Sequence, residues 1–486
     1  MVQLTIIINC DIIKISKSEK FDNTRTVFCN IMPLYDLNEK NKYYNLYCGI
    51  REDILRGKLK SGEKLPAKRV FAKELGVSVV TVQLAYEQLL AEGYITSRER
   101  SGYFVGKVAP QAPPAPGDGC GRRISTEQTT LSEYTVDFVK GSAPAKLFPF
   151  SVWAKLTRAV LADCGEHLLE RVPCDGDAEL KNEISSYLYR SRGIDAEPRY
   201  IVIGAGAEYL YGVIVQLLGR DKLYAVENPG YGKISGAYAL NGALVSPVKV
   251  KEAGICLDEL KNSRADVLHI SPSHQFPTGV VTPVSTRSQI IEWAVAGNKY
   301  IVEDDYDSEF RLSGRPLQSL YSLCPERVIY MNTFSKTLAP SMRMGYMVLP
   351  RDLHAKFLKL FSSSANVVPL FEQKTLAAML RGGYFERHIN RMKNYYRGIR
   401  KILGEMLEKL DTSCEIYDTS SGLHLLAKFT RVSSDEQLRA FAEKLNIRIR
   451  CLSDYLLAPV DGMEGYAVIN YSGVTEEQLE KLLIKI

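Results

Sequence analysis

From about residue 136 onward, short apolar runs alternate with segments in which apolar residues recur at helical spacing. Runs such as 200–203 and 328–331 are apolar at almost every position, which is typical of parallel strands buried on both faces. This alternation predicts an α/β domain with a mostly parallel sheet and helices on both faces. From about residue 375, a long helix followed by shorter strands and helices predicts a small α+β domain.

The pattern before residue 106 is different. Apolar residues recur at helical spacing over 44–56, 69–75 and 79–92, with Ser78 as the N-cap of the third segment. Residues 93–105 then predict a two-stranded hairpin. Two helices joined by a short turn form the helix-turn-helix unit, whose second helix enters the DNA major groove. The hairpin would be its wing.

With 486 residues, the chain is long enough for two or three domains. Prolines and glycines concentrate in 107–131, which predicts a linker. We therefore expect five segments. They are an unassigned extension (1–42), a winged helix-turn-helix (43–106), the linker (107–131), a large α/β domain (132–374) and a small domain (375–486).

The first 42 residues follow no recognisable pattern, and we expect Met32 to be the native start, which mass spectrometry of the N-terminus would test. The apolar run 4–8 is too short to span a membrane. Ten cysteines without a C-x-x-C pair indicate reduced thiols and no metal site. A cytoplasmic protein is expected.

Charge supports a nucleic-acid partner only weakly. The whole chain carries a net charge of +6, and residues 43–107 contain eleven Lys and Arg against seven Asp and Glu. This balance suits a DNA-binding module. An ordinary solvated basic surface explains it almost as well.

One loop suggests cofactor chemistry. Lys336 follows the apolar run 328–331, is preceded by Ser335, and is followed seven residues later by Arg343. An amine beside a hydroxyl and a guanidinium suits a phosphorylated aldehyde, because the amine condenses with the aldehyde while the other groups bind the phosphate. A surface lysine beside an unrelated arginine is an equally good explanation of this loop alone.

Residues earlier in the chain favour the cofactor interpretation of Lys336 over that of a surface lysine. Asp304 and Tyr306 end a hydrophobic strand, where a pyridoxal ring would find a carboxylate for its nitrogen and a phenol for its 3′-oxygen. Tyr231 offers a ring for stacking. Backbone N–H groups for a phosphate come from the turn Gly206, Ala207 and Glu208.

Two sets of motifs carry a resemblance to known families. Residues 302–311, 271–279 and 335–337 resemble a fold-type I aminotransferase domain, over about 137–486. The N-terminal motifs are those at 65–66, 85–89 and 101–105. With them, the whole chain resembles the MocR-type transcription regulators, in which a GntR-type winged helix is joined to such a domain.

The resemblance implies pyridoxal 5′-phosphate, with Lys336 forming the Schiff base, Asp304 facing the ring nitrogen and Tyr306 the 3′-oxygen. Glu303 and Asp305 are expected to be solvated or to cap a helix. His274 lies either beside the ring or packed away from it. Phe276 stands where aminotransferases have an asparagine that bonds the 3′-oxygen.

For the winged helix the resemblance implies a set of polar DNA contacts. They are Arg69, Ser78, Thr81, Gln83, Arg98, Arg100 and Ser101. The chain departs from the family just after Ser78, where Arg and Asn are usual and Val79 and Val80 stand instead. We expect weaker DNA binding or an unusual operator.

A second departure concerns the ligand. Aminotransferases place an arginine on the last strand to hold the substrate carboxylate, and the matching position here is near Val468. No arginine follows Arg450 in the sequence, and Arg448 or Arg450 would have to substitute. The sequence therefore favours pyridoxal phosphate itself, or a small amine without a carboxylate, as effector.

Three functions compete at this point. The first is a pyridoxal phosphate-binding transcription regulator, in which a homodimer binds operator DNA and the aminotransferase-like domain senses an effector. The second is an active aminotransferase of an amino acid or amine with a fused DNA-binding domain. The third is a DNA-binding protein with an empty aminotransferase scaffold. The cofactor residues favour the first, and weak residual transaminase chemistry stays open.

Overall fold

The computed structural model describes residues 41–108, 134–312, 317–417 and 422–485. The chain divides into two compact units, Met1–Leu131 and Ser132–Ile486. Each is described by itself. The predictions made for residues 1–40 and for most of the linker lie outside the described residues.

The N-terminal unit has the predicted order of three helices and a hairpin. The helices are α1 (Lys42–Leu55), α2 (Lys68–Glu74) and α3 (Val79–Ala91), and the strands are β1 (Ile95–Arg98) and β2 (Gly102–Val105). The strands pair antiparallel, with Ile95 opposite Val105. Apolar residues from all three helices and both strands form one core, which includes Leu46 and Tyr86.

Two hydrogen bonds set the geometry of the helix-turn-helix. The hydroxyl of Ser78 accepts the Thr81 N–H at 3.1 Å, so that Ser78 is the N-cap of α3 as predicted. The Tyr86 hydroxyl donates to the Pro66 carbonyl at 3.0 Å and ties α3 to the turn before α2. The first bond fixes the start of α3, and the second links α3 to the segment that leads into α2.

The second unit contains the remaining elements. Its helices are α4 (Phe150–Cys164), α5 (Ala178–Arg192), α6 (Ala207–Leu218), α7 (Gly232–Leu240), α8 (Leu257–Asn262), α9 (Val284–Ala296), α10 (Leu320–Leu323), α11 (Arg351–Phe361), α12 (Leu370–Arg381), α13 (Tyr384–Leu410), α14 (Asp435–Lys444) and α15 (Glu476–Lys485).

Its strands are β3 (Val136–Asp137), β4 (Ile201–Gly204), β5 (Leu223–Asn228), β6 (Leu244–Lys251), β7 (Gly254–Ile255), β8 (Val267–Ile270), β9 (Tyr300–Asp304), β10 (Val328–Thr333), β11 (Gly345–Val348), β12 (Glu415–Tyr417), β13 (His424–Lys428), β14 (Ile447–Arg448), β15 (Arg450–Cys451) and β16 (Tyr466–Asn470).

Eight strands form the large sheet in the order β4-β11-β10-β9-β8-β5-β6-β7. The five strands β10, β9, β8, β5 and β6 run parallel, whereas β11 is antiparallel to both of its neighbours. Val328 and Tyr330 pack into the core on one face, and Ile329 and Met331 into the core on the other. Because both faces of β10 are covered, this strand is apolar at these four positions. The predicted sheet with helices on both faces is confirmed.

The C-terminal part has its own antiparallel sheet, β12-β13-β16-β15, and a separate core. Residues near the start of the unit belong to it. Val136 and Phe138 are buried in that core, and β3 pairs with β14. The sequence analysis assigned this segment to the large domain, because a two-residue strand carries no periodicity that identifies its partner.

In the described part of the chain, no helix combines the length and apolar character needed to cross a membrane.

Candidate functional site

A cavity of about 500 Å³ opens at the carboxyl ends of the central strands. Strands β9 and β10 are parallel neighbours, with Asp304 opposite Met331. The residues that follow these strands therefore meet at one edge of the sheet, as in other open α/β sheets. Eight of the predicted site residues line this cavity: Lys336, Asp304, Tyr306, Tyr231, Ser335, Arg343, Ala207 and Glu208.

Lys336 lies on the loop after β10. Its Nζ donates a hydrogen bond to the Gly141 carbonyl at 2.8 Å. A Cβ atom built on Gly141 would lie 3.1 Å from that nitrogen, so a larger residue there would crowd the amine. Ser335 also lines the cavity. In the described structure the amine thus donates to an uncharged carbonyl and lies beside the open space of the cavity.

Asp304 and Tyr306 form the end of the cavity that would face a pyridoxal ring. Asp304 is buried at the end of β9, where it accepts the Tyr211 hydroxyl at 2.7 Å and lies 3.6 Å from His269 Nε2. The buried Tyr306 hydroxyl has no hydrogen-bond partner among the described residues. Burial raises the pKa of Tyr306 well above its usual value. A neutral phenol without a partner fits an oxygen of a bound ring.

The opposite end suits a phosphate. Gly206 has a φ of 86° and caps α6, whose first residues Ala207 and Glu208 line the cavity. A Cβ on Gly206 would lie 3.4 Å from the Arg343 guanidinium. The Glu208 carboxylate lies 3.8 Å from Arg343 and 3.6 Å from Lys233. Glu208 can therefore offer its backbone N–H to an anion while its carboxylate faces cations.

His274 does not lie against the cavity as a cofactor ligand would. It packs between the rings of Tyr306, at 6.2 Å, and His424, at 4.3 Å. Burial, with a smaller effect of the Arg400 charge, lowers the pKa of His274 to about 3, so its ring is neutral. A Cβ on Gly422 would lie 2.0 Å from that ring. Of the two alternatives for His274, the structure favours the packed one.

His424 is a cavity residue that the sequence analysis missed. It lines the cavity from β13, and its Nε2 lacks a hydrogen-bond partner in the described structure. Burial lowers the pKa of His424 well below its usual value, with the nearby His274 and Lys336 acting in the same direction. A histidine inside a strand is an ordinary core residue by pattern, and only its position in space distinguishes it.

Glu303 and Asp305 were expected to be solvated or to cap a helix, and the solvated alternative is wrong for both. Both are almost fully buried. Glu303 accepts the backbone N–H groups of Leu320 and Tyr321 and thus caps α10 across the fold, which agrees with the capping alternative. Asp305 forms a bidentate ion pair with Arg192, both N···O distances being 2.9 Å.

Two further acidic residues line the cavity and were not predicted. Burial raises the pKa of Glu227 to about 8, although its carboxyl also accepts the Ser271 N–H at 3.3 Å. Asp307 has a φ of 58°, which is uncommon for a residue other than glycine and typical of functional sites. Burial raises the pKa of Asp307, and the charge of Lys336 opposes this shift.

Arg450 brings a guanidinium to the cavity from the strand next to position 468, where the sequence analysis expected an arginine. Strand β15 pairs with β16, and Arg450 stands opposite Val468. Arg450 lines the cavity, and its guanidinium lies 5.8 Å from the Tyr455 ring. Arg448 instead lies 3.4 Å from Asp137. Of the two arginines named as substitutes, the structure brings Arg450 to the cavity.

In the N-terminal unit, the predicted DNA contacts fall into two groups. Exposed cations and a hydroxyl lie on α2 and around the hairpin turn: Arg69, Arg98, Arg100 and Ser101. Ser78, Thr81 and Gln83 lie at the start of α3, where the Ser78 and Thr81 hydroxyls are 2.8 Å apart and Gln83 donates to Glu87. These three side chains are therefore partly satisfied within the helix.

Comparison with known proteins finds a matching family for each of the two units. The family described as "Aminotransferase class I and II" matches residues 136–486, and "Bacterial regulatory proteins, gntR family" matches residues 42–105. The chain is 35% identical to the uncharacterized HTH-type transcriptional regulator YdeL of Bacillus subtilis, over 84% of this chain and 88% of that protein. It is 31% identical to the probable rhizopine catabolism regulatory protein MocR of Rhizobium meliloti, over 90% and 91%.

Among solved structures, an archaeal alanine:glyoxylate aminotransferase has a TM-score of 0.65 at 20% identity, covering 73% of this chain and 89% of that one. At this identity the likeness concerns the fold alone.

The fold and the cavity define a winged-helix DNA-binding protein with a fused fold-type I pyridoxal phosphate domain. Within that class, the chain belongs to the MocR-type transcription regulators of the GntR superfamily. Its cofactor is pyridoxal 5′-phosphate, as predicted. An active aminotransferase with an added DNA-binding domain is not favoured, because the two relatives reported above, matched over 84% and 90% of this chain, are named as regulators.

Proposed function

We propose that the cavity senses a small amine that also carries an acidic group, and that its binding changes how a homodimer engages operator DNA. The observation that carries this proposal is the presence of Arg450 on the same cavity as Lys336. An amine would be directed to the cofactor, and the acidic group of the same molecule to the guanidinium.

The residues of this chain suit the cofactor in distinct roles. When bound, pyridoxal phosphate supplies an aldehyde to which amines add and a ring that withdraws electrons. Lys336 would hold the aldehyde end, Asp304 the ring nitrogen and Tyr306 the 3′-oxygen, with Tyr231 against the ring. The phosphate would be held by Ser335, Arg343 and the backbone N–H groups of Gly206, Ala207 and Glu208.

A cluster of aromatic side chains near Arg450 suits the apolar part of such an effector, between its amine and its acidic group. Phe276 packs edge-on against Tyr231 at 5.6 Å, Tyr455 at 5.0 Å and His424 at 4.9 Å. The position that holds an asparagine in aminotransferases thus belongs to an apolar cluster. This arrangement revises the effector suggested by the sequence, because an amine with a carboxylate now has a place for both groups.

Arg450→Gln tests the effector class. We titrate the full-length, cofactor-loaded protein with ω-amino acids of three to six carbons and with alkylamines of the same lengths, recording the visible spectrum and the affinity for operator DNA. The wild type should respond to the best amino acid at a concentration roughly 10- to 100-fold below that of its alkylamine, since a hydrogen bond to a charged group contributes about 1.5–3 kcal/mol. Arg450→Gln should remove that difference.

The matched control is Arg448→Gln, which removes a nearby arginine that pairs with Asp137. It should keep the preference for acids. Equal responses to acids and alkylamines in the wild type would contradict the proposal, as would an unchanged preference in Arg450→Gln. A response to pyridoxal phosphate alone would favour the cofactor itself as the signal.

Exposed apolar side chains support the homodimer. Phe150 and Leu161 on α4 are 66% and 48% exposed, and Leu169 is 80% exposed. Apolar residues grouped in this way mark interaction surfaces, and most homo-oligomers are two-fold dimers.

We therefore expect the full-length protein to sediment at twice the mass of one chain. Leu161→Glu should shift this equilibrium toward the monomer, whereas Ile484→Glu, at a position that is 85% exposed on α15, should not. A wild-type protein that sediments as a monomer at all concentrations would contradict the dimer.

A further inference from the structure

We propose that helix α3 recognises thymines in the operator by contact of Val79 and Val80 with their C5-methyl groups. This inference rests on the DNA-binding role of the N-terminal unit and adds a base preference to it. It concerns the two positions at which the chain departs from the residues usual in its family.

The two valines occupy the part of the helix that meets bases. Ser78 caps α3, so Val79 and Val80 are its first two residues. In helix-turn-helix proteins, the N-terminal residues of the second helix contact base edges in the major groove. Their side chains are turned outward, since Val79 is 42% and Val80 62% exposed. One turn further on, Leu84 is 44% exposed and extends the same apolar surface.

The polar neighbours of these valines are already engaged. Thr81 bonds the Ser78 hydroxyl at 2.8 Å, and the Gln83 amide donates to Glu87 at 2.8 Å. Within the described helix, the most freely presented groups at its start are therefore methyls. The major groove offers one apolar feature for such groups, the C5-methyl of thymine.

The charge around this surface favours DNA over a protein as its occupant. Arg69 on α2 and Arg98 and Arg100 at the hairpin are exposed. Guanidinium groups of this kind bind phosphates and hold the duplex in position, without contributing base preference. An apolar stretch at the start of α3, in a unit that also exposes these arginines, suits a thymine-containing groove between two phosphate backbones.

The test uses duplexes selected from a random 30-base-pair pool by the full-length wild-type protein. Each thymidine of the selected sequence is replaced in turn by deoxyuridine, which removes only the methyl group. We expect one or two positions per half-site at which the replacement weakens binding about fourfold, the effect of exposing one methyl-sized apolar group. All other positions should change less than twofold.

Val79→Ala and Val80→Ala should each abolish the thymine-to-uracil difference at one of these positions. Leu90→Ala, at an exposed position in the last turn of α3, should leave every difference unchanged. If an alanine variant binds too weakly to measure, the corresponding threonine variant, which retains one methyl, should show a reduced difference.

Three results would overturn the inference: a selected sequence without thymine in its half-sites, a wild type that tolerates deoxyuridine everywhere, or alanine variants that keep the wild-type difference. A wild type that selects no duplex would overturn the DNA-binding role as well, which distinguishes the two failures.

Discussion

Replacing Lys336 with alanine should abolish the visible absorption band that the protein shows with bound pyridoxal phosphate. The band requires a covalent link between the aldehyde and an amine. The Lys336 amine lies at the cavity, where it donates a hydrogen bond to the Gly141 carbonyl at 2.8 Å. The measurement is the spectrum of full-length wild type and Lys336→Ala with excess cofactor. Borohydride reduction followed by mass spectrometry identifies the attached residue.

Lys233→Ala is the matched control. Lys233 lines the same cavity and lies 3.6 Å from Glu208, so its loss removes a lysine without removing the proposed attachment point. This variant should keep the band and the labelled peptide. Attachment of the label to another lysine in Lys336→Ala would contradict the assignment. A wild type without any band would revive the interpretation of an empty scaffold.

Arg192→Ala should lower the free energy of unfolding by about 3–5 kcal/mol, the usual effect of removing one partner of a buried ion pair. Arg192 and Asp305 are 7% and 0% exposed at their side chains. The Asp305 carboxylate also accepts the Tyr330 hydroxyl at 2.6 Å. Without the guanidinium, this carboxylate would remain buried beneath the cofactor site with one neutral donor. Urea denaturation of full-length wild type and Arg192→Ala gives the difference in the free energy of unfolding.

Arg190→Ala provides the comparison two residues away on the same helix. Arg190 pairs with Glu386 at 2.8 Å, but the side chains are 51% and 34% exposed, and exposed pairs contribute about 0–1 kcal/mol. The two variants should therefore differ several-fold in their effect. Similar losses for both would show that burial of the Arg192–Asp305 pair does not control stability.

The fold and the proposed attachment site were predicted from patterns that are local in the sequence. The apolar run that becomes β10 identifies a buried parallel strand, because a strand covered on both faces has apolar residues at every position. The similar run that becomes β4 is also buried, but β4 pairs antiparallel with β11. Lys336 and Asp304 each follow such a strand directly. Since the carboxyl ends of parallel strands share one edge, sequence order alone brings these two residues together.

The other side of the cavity depends on pairings between distant segments. Arg450 reaches the cavity because β15 pairs with β16, and His424 because β13 pairs with β16 from the other side. These are antiparallel pairings of short strands, whose partners and register are not encoded in any local period. The arginine that lines the cavity therefore comes from the strand next to β16 and not from position 468 on β16.

The sequence alone indicated the fold class through its apolar patterns, and the resemblance carried by its motifs indicated the cofactor and a DNA-binding domain. Only the tertiary structure decided which acidic residues are buried and which of the two arginines lines the cavity. Glu303 and Asp305 carry the same charge in adjacent stretches of chain, yet one caps α10 and the other pairs with Arg192. The physical reason is that burial and charge pairing belong to contacts between elements, which a linear pattern does not contain.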